Sequence, residues 1–124
     1  MKIKFFIISL SALLIAFSCT KKETDTTPPF ITISSPAVGE MFTSGDSVLV
    51  AFSVTDADLH GYDYAIIKTA TDDTIFDNDL HSHASITFNQ KFKLSDAATQ
   101  FKLIVNGEDH SGNTSSKSVN FHTM

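Results

Sequence analysis

The chain has 124 residues and a mass of 13.5 kDa, with 9 basic residues, 14 acidic residues, one cysteine and no tryptophan. This length accommodates one globular domain. Every basic residue is a lysine, so the chain offers no guanidinium group for two-point contact with a phosphate or a guanine edge. We therefore expect no sequence-specific binding of nucleic acid.

The first eighteen residues have the pattern of a secretion signal. A charged start at residues 1–4 precedes an apolar run from Phe5 to Phe17. This run of about thirteen residues is shorter than the ~20 that a membrane-spanning helix needs, so cleavage is expected. The residues that lead to Cys19 resemble a bacterial lipobox, in which the cysteine is lipidated and becomes the mature N-terminus. Residues 1–18 are thus predicted to be a lipoprotein signal peptide.

The mature protein is predicted to be held in the cell envelope by lipid on Cys19. Removal of residues 1–18 leaves seven lysines against 14 acidic residues, a net charge of −7. An acidic domain is not attracted to anionic headgroups, so the acyl chains must hold it at the membrane. Residues 19–29 are polar and end in two prolines, which is typical of a tether.

From residue 30 to residue 124 the dominant hydrophobic period is two, which predicts an all-β domain. The seven predicted strands are Ile31–Ser34, Val48–Thr55, Tyr62–Lys68, Thr74–Asp77, Ala84–Leu94, Gln100–Asn106 and Lys117–Thr123. Seven short strands separated by turn residues predict an antiparallel sandwich. Shared parity within the strands predicts one core, formed by Val50, Phe52, Ile86, Phe88, Phe101, Leu103, Val105 and Phe121.

Four segments resemble bacterial immunoglobulin-like domains. They are the Pro-Pro segment at 25–33, Ser35–Glu40, Val54–Asp56, and Val105–Thr114 with its Asp-x-x-Gly-Asn turn. The resemblance implies a seven-stranded immunoglobulin-like sandwich. The chain is also similar to small lipoproteins of Gram-negative bacteria with His-rich loops, a family that brings no established activity. That similarity implies attachment to the outer membrane, on its periplasmic or its outer side.

Four of the five histidines are predicted to meet at one end of the sandwich. Because successive strands alternate in direction, the loops that carry His60, the pair His81 and His83, and His110 fall at the same end. In extended backbone the Cα atoms of His81 and His83 are about 6.5–7 Å apart and both rings point to one side, a spacing that suits chelation. The four histidines are therefore predicted to bind one ion of Zn, Cu or Ni, the metals that imidazole favours.

Carboxylates flank these histidines. Asp58, Asp79, Glu108 and Asp109 could serve as ligands of the metal or as acceptors of hydrogen bonds from the imidazole rings. The predicted supporting groups are Asp58, Asp79 and Asp109. The same loops allow two other interpretations, because Asp56, Asp58 and Asp109 could cap turns or hold Ca²⁺. Each histidine taken alone could also be a solvated loop residue.

Two classes of function remain open at this level. The first is a metal-binding lipoprotein, and the second is a non-catalytic interaction module that binds a protein or a glycan, with or without Ca²⁺. No enzymatic activity is expected, because the lone cysteine is assigned to the anchor and the serines near histidines lack a nucleophile-elbow context. His122 is predicted to lie on the surface near the opposite end of the domain.

Overall fold

Residues 23–124 are described by a computed structural model, and they form eight β-strands and no helix. The strands are β1 Phe30–Ser35, β2 Met41–Phe42, β3 Ser47–Thr55, β4 Leu59–Lys68, β5 Asp73–His81, β6 Ile86–Lys93, β7 Gln100–Asp109 and β8 Thr114–Thr123. The predicted signal peptide, Cys19 and the first residues of the predicted tether lie outside the described residues. No helix between residues 23 and 124 has the length and apolar character needed to cross a membrane.

The strands form two sheets. One has the order β1-β3-β6 and the other the order β2-β8-β7-β4-β5. The neighbouring strands are antiparallel except β2, which is parallel to β8. The fold is therefore the all-β sandwich that the sequence predicts, but the predicted count of seven antiparallel strands is wrong. The missed strand has two residues, too few to show a period of two in the sequence.

The core lies between the two sheets and follows the alternation along β3 and β7. Of the eight residues predicted for it, six are buried: Val50, Phe52, Phe101, Leu103, Val105 and Phe121. Ile86 and Phe88 are partly buried and pack against this cluster. Both belong to β6, an edge strand of the smaller sheet, where one side of the strand has no neighbour to exclude water. The predicted parity is thus confirmed.

The described part of the predicted tether packs on the sandwich. Pro29 is buried, and a Cβ atom added to Gly107 would lie 2.9 Å from Val54 Cγ1 and 3.2 Å from Pro29 Cβ. The side-chain amide of Asn113 donates a hydrogen bond of 2.9 Å to the carbonyl oxygen of Asp25. The chain therefore joins the domain a few residues before β1.

The connections 56–58, 82–85 and 110–113 lie together at one end of the sandwich, which we call the upper end. The hydroxyl of Ser85 accepts a hydrogen bond of 3.0 Å from the amide of Asp56 and donates one of 3.1 Å to its carbonyl oxygen. The amide of His110 donates to the carbonyl oxygen of Asp58 at 3.0 Å. Phe30, at the start of β1, pairs with Thr55 at the end of β3. The chain thus reaches the sandwich at this same upper end.

Candidate metal site at the upper end

Four imidazole rings form a continuous row at the upper end. The ring centroids are 5.4 Å apart between His60 and His81, 4.8 Å apart between His60 and His110, and 5.1 Å apart between His83 and His110. The order of contacts is therefore His81, His60, His110, His83, and we call this set the histidine row. The convergence inferred from strand direction is observed. The two members of the His-x-His pair, however, contact different partners.

His60 and His81 lie on strands, whereas the sequence placed both in loops. β4 begins at Leu59 and β5 ends at His81. The register between β4 and β7 pairs Leu59 with Asp109 and Gly61 with Glu108, so His60 is the extra residue of a β-bulge. Bulges change the direction in which a side chain points, and this one brings the His60 ring between those of His81 and His110.

Gly61 gives the His81 ring room to lie close to β4. Gly61 and His81 are partners in the β4–β5 ladder. A Cβ atom added at Gly61 would lie 3.2 Å from the carbonyl oxygen of Leu80 and 3.6 Å from Nδ1 of His81. An alanine at position 61 would therefore press on the Leu80 carbonyl and meet the imidazole at ordinary contact distance, and only a longer side chain would displace the ring.

His110 is held in a single tautomer. Its Nδ1 lies 3.0 Å from the carbonyl oxygen and 3.2 Å from the carboxylate Oδ1 of Asp58. Both oxygens are acceptors, so Nδ1 must carry the proton and Nε2 keeps a free lone pair in the neutral ring. Metal-binding histidines in proteins have this arrangement, in which the second ring nitrogen donates to a carbonyl or a carboxylate.

His60 contains a buried ring nitrogen without a partner. Among the described residues, its Nδ1 is the one buried side-chain nitrogen or oxygen atom that makes no hydrogen bond. A buried polar atom without a partner is uncommon in folded proteins and calls for an explanation, such as a water molecule or an ion. This atom lies on the ring that contacts both His81 and His110.

The spacing of neighbouring rings agrees with a shared metal ion, although the ring nitrogen atoms do not point to a common centre. Two imidazoles on one tetrahedral ion, each with a metal–nitrogen bond of about 2.0–2.1 Å, have ring centroids on the order of 5 Å apart, which is the spacing of the three neighbouring pairs in the histidine row. Within residues 23–124, the one group of three ligand atoms that lie within 4.8 Å of one another consists of carboxylates. Ligation by the histidines therefore requires rotation of the rings. His81, His83 and His110 are exposed, and exposed side chains change rotamer in picoseconds to nanoseconds.

That group of three carboxylates is Asp25, Asp56 and Asp109. Each of them accepts a hydrogen bond from a backbone amide two residues later: Thr27 at 2.9 Å, Asp58 at 2.7 Å and Ser111 at 2.8 Å. Asp56 and Asp109 are thus turn-capping residues, one of the interpretations that the sequence left open. The sequence does not predict Asp25 as a member of this group. Asp25 lies near Asp56 and Asp109 only because of the path that the chain takes before β1, and no local sequence pattern encodes that path.

Of the three aspartates predicted to support the site, one contacts a histidine of the row, and the other two have other neighbours. Asp58 contacts His110, as described above. Asp109 is 1% exposed, and its carboxylate also accepts hydrogen bonds from the backbone and side-chain amides of Asn113 at 2.8 and 2.7 Å. Burial raises the pKa of Asp109, but the hydrogen bonds from Asn113, Ser111 and Gly112 together lower it by more, so the pKa is lower than that of a free aspartate. Asp79 lies in β5 opposite Asp63.

A cleft of about 770 Å³ continues from the histidine row across the outer face of the larger sheet. His60, His81 and Gly61 line its upper part, and Asp63, Asp79 and Glu108 are the acidic residues in its lining. Asp63 is held in place by the side-chain amide of Asn106, which donates to its two carboxylate oxygens at 2.9 and 2.7 Å. A metal ion at the histidine row would therefore lie beside an open, acidic cleft.

The two tyrosines of β4 support this end of the sheet from the inside. Burial raises the pKa of Tyr62 and of Tyr64. Their rings lie 6.1 and 5.6 Å from the ring of Phe52. Both phenols are therefore neutral at physiological pH and act as packing groups.

Comparison with known proteins gives information on the fold alone. No family model matches the chain, and no curated protein matches it. The crystal structure of an engineered protein is similar, with 14% sequence identity and a TM-score of 0.57 over 77% of this chain and 20% of that protein. The chain thus spans about a fifth of the length of the engineered protein. At this level of identity the similarity extends to the β architecture and not to a ligand.

Proposed function

We propose that the protein is a lipid-anchored lipoprotein of the cell envelope, attached through Cys19 to the outer membrane, on its periplasmic or its outer side. Its single immunoglobulin-like domain binds one transition-metal ion, Zn, Cu or Ni, through His60, His81, His83 and His110. The observation that carries the proposal is the row of four imidazoles with centroid spacings of 4.8–5.4 Å. No catalytic step is part of the proposal.

Two features of individual rings support ligation. The fixed Nδ1–H of His110 leaves Nε2 as its metal-binding atom, and the buried Nδ1 of His60 lacks a partner that an ion would supply. Neutral imidazoles with a carbonyl and a carboxylate behind them are good ligands for borderline metals. Bound metal would supply a positive charge beside the acidic cleft and would link the ends of three chain segments, β4, β5 and the connection after β7.

The sheet order supports the immunoglobulin-like assignment. In seven-stranded immunoglobulin domains the first, second, fourth and fifth strands share one sheet, while the third, sixth and seventh share the other. Of the first set, the smaller sheet has counterparts of the first, second and fifth strands. The order β1-β3-β6 corresponds to these three strands, and β8-β7-β4 corresponds to the second set. β5 then extends the second sheet at its edge, as the additional strand of variable-type domains does.

Metal titration of the soluble protein that begins after Cys19 tests the proposal. Zn²⁺ and Cu²⁺ are added separately to the wild type and to a His81→Ala/His83→Ala variant, with calorimetry as the readout. We expect one ion per wild-type chain and a large loss of affinity in the variant. Because metal binds neutral imidazole, affinity should also fall in mildly acidic solution. Equal and weak binding by both proteins would leave the histidines as solvated residues.

A matched control is available in the fifth histidine. His122 belongs to β8 and pairs with Met41 of β2, far from the upper end. His122→Ala should leave the affinity of the histidine row for Zn²⁺ unchanged. If His122→Ala weakened Zn²⁺ binding as much as the double variant does, the metal would be held non-specifically by exposed imidazoles and the proposed site would be wrong.

The alternative function is an interaction module that binds a protein or a glycan, with Ca²⁺ at the carboxylates of the upper end. The cluster of Asp25, Asp56 and Asp109 favours it, because oxygen ligands from three segments suit Ca²⁺. Addition of Ca²⁺ should then raise the midpoint of thermal unfolding, and Asp56→Asn should remove this effect while His81→Ala/His83→Ala should not. A stabilising effect of Ca²⁺ with no effect of Zn²⁺ would favour this alternative.

A further inference from the structure

Both methionines of the described chain lie in one cleft at the end of the sandwich opposite the histidine row. This cleft, which we call the methionine cleft, has a volume of about 550 Å³ and is lined by Met41, His122 and Met124 together with Gln100 and four small residues. Met41 and Met124 are 58% and 60% exposed. Methionine is among the residues most often buried, so two exposed thioethers beside one imidazole are unexpected on packing grounds.

Backbone hydrogen bonds fix these three residues on one face. The amide of His122 donates to the carbonyl oxygen of Glu40, and the amide of Met124 donates to that of Phe42, both at 2.9 Å. These two bonds flank Met41, which is the register partner of His122. Neighbouring strands lie about 4.8 Å apart and residues two apart on a strand point to the same face. The side chains of Met41 and Met124 thus start on either side of the His122 ring.

We propose that Met41, His122 and Met124 form a Cu(I)-binding site. Thioether sulfur is a soft ligand that selects Cu(I), and imidazole is a borderline ligand that Cu(I) also accepts. Within residues 23–124, none of the side chains that line this cleft is acidic, in contrast to the cleft at the upper end. The ligand set therefore disfavours hard ions such as Ca²⁺ and Mg²⁺.

This site is independent of the proposed function, because the two ends of the domain are far apart. β7 runs from Gln100, which lines the methionine cleft, to Asp109 beside His110, and its ten residues span about 30 Å. No ligand is shared between the two sets. A variant can therefore remove one site and leave the other in place.

The experiment uses the full chain in detergent, with Cys19→Ser in every sample, since the chain has one cysteine and its thiol would compete for copper. Methionine methyl groups are labelled with ¹³C and Cu(I) is added under anaerobic conditions. Cu(I) has a closed shell, so the methyl signals stay sharp. We expect the signals of Met41 and Met124 to shift together and to stop shifting once one equivalent of Cu(I) is bound in the methionine cleft. The same shifts should occur in His81→Ala/His83→Ala.

Affinity is measured by competition with a chromogenic Cu(I) chelator in the His81→Ala/His83→Ala background, so that copper bound at the histidine row does not mask the result. Met41→Leu/Met124→Leu should lower it by more than about 100-fold, the upper end of the loss caused by removing an outer-shell partner of a metal site. Leucine is close to methionine in volume, so the fold should persist, and Val38→Leu, at a nearby residue that is 86% exposed, is the control. Unchanged affinity in the double leucine variant, or unshifted methyl signals, would overturn the proposal whatever the histidine row binds.

Discussion

Phe52 joins the two sheets behind the histidine row, and replacing it tests the packing on which the site depends. Its side chain is 1% exposed. Its ring centroid lies 4.7 Å from that of Phe88 in the same sheet, and 5.6 and 6.1 Å from those of Tyr64 and Tyr62 in the opposite sheet. Phe52→Ala would leave a cavity among all three partners.

We expect Phe52→Ala to lower the free energy of unfolding by about 3–5 kcal/mol, the usual cost of removing a buried phenylalanine ring. The three aromatic contacts place the value toward the upper part of this range. For a domain of about 100 residues, such a loss lowers the midpoint of thermal unfolding by on the order of 20 °C. Phe52→Leu keeps most of the apolar volume and should cost only about 1.5 kcal/mol.

Urea denaturation of the soluble domain measures these values. Phe30→Ala is the matched control, because Phe30 is 69% exposed and its removal should change stability by less than about 0.5 kcal/mol. The Leu variant keeps the test informative if the Ala variant is too unstable to purify. Similar losses at positions 52 and 30, or a loss below about 1 kcal/mol at position 52, would refute the two-sheet core described here.

Three further predictions concern the upper end and the anchor. Gly107→Ala should destabilise the domain by about 1–3 kcal/mol in urea denaturation, because its Cβ would lie 2.9 Å from Val54 Cγ1; an unchanged free energy of unfolding would contradict this close packing. Asp109 has a lowered pKa in the folded state, so its ionised carboxylate stabilises the fold. The wild type should therefore have a higher free energy of unfolding than Asp109→Asn at pH 7, and the difference should shrink as the pH falls below about 4. A difference that stayed constant over this pH range would show that the carboxylate is not stabilised by folding. Cys19→Ser should move the protein from the membrane fraction to the soluble fraction, and an unchanged distribution would show that the lipobox interpretation is wrong.

The sequence predicts the core well because alternate residues of a strand point to opposite faces of the sheet, so the apolar residues of each strand mark its buried face. Phe101, Leu103 and Val105 alternate with exposed or half-buried neighbours, and all three are buried. The same logic fails at the ends of strands. β5 continues to His81 through acidic residues that are exposed. An edge strand can carry charges on both faces, so the sequence of its last residues resembles that of a loop.

The candidate site was predictable in its composition but not in its geometry. Alternating strand directions suffice to bring His60, His83 and His110 to one end, and the rings do meet there. The bulge at His60 depends on the register between β4 and β7, a long-range property that residues near position 60 do not encode. The contacts of Asp25 depend on the same kind of information, because its partner Asn113 is 88 residues away in sequence.

The position of the tether gives a last prediction about orientation at the membrane. Asp25 is bound by Asn113 and Pro29 is buried beside Gly107, so the chain leaves the domain at the upper end. Cys19 is six positions before Asp25, so the chain between them reaches about 20 Å at most. If Cys19 carries the lipid, the histidine row faces the headgroups and the methionine cleft lies about 30 Å further away. In lipid nanodiscs with paramagnetic headgroups, the amide signal of His110 should therefore broaden much more than that of Gln100. The Cys19→Ser protein mixed with the same nanodiscs should show no difference between these two signals, and equal broadening in the lipidated protein would mean that the tether does not fix the orientation.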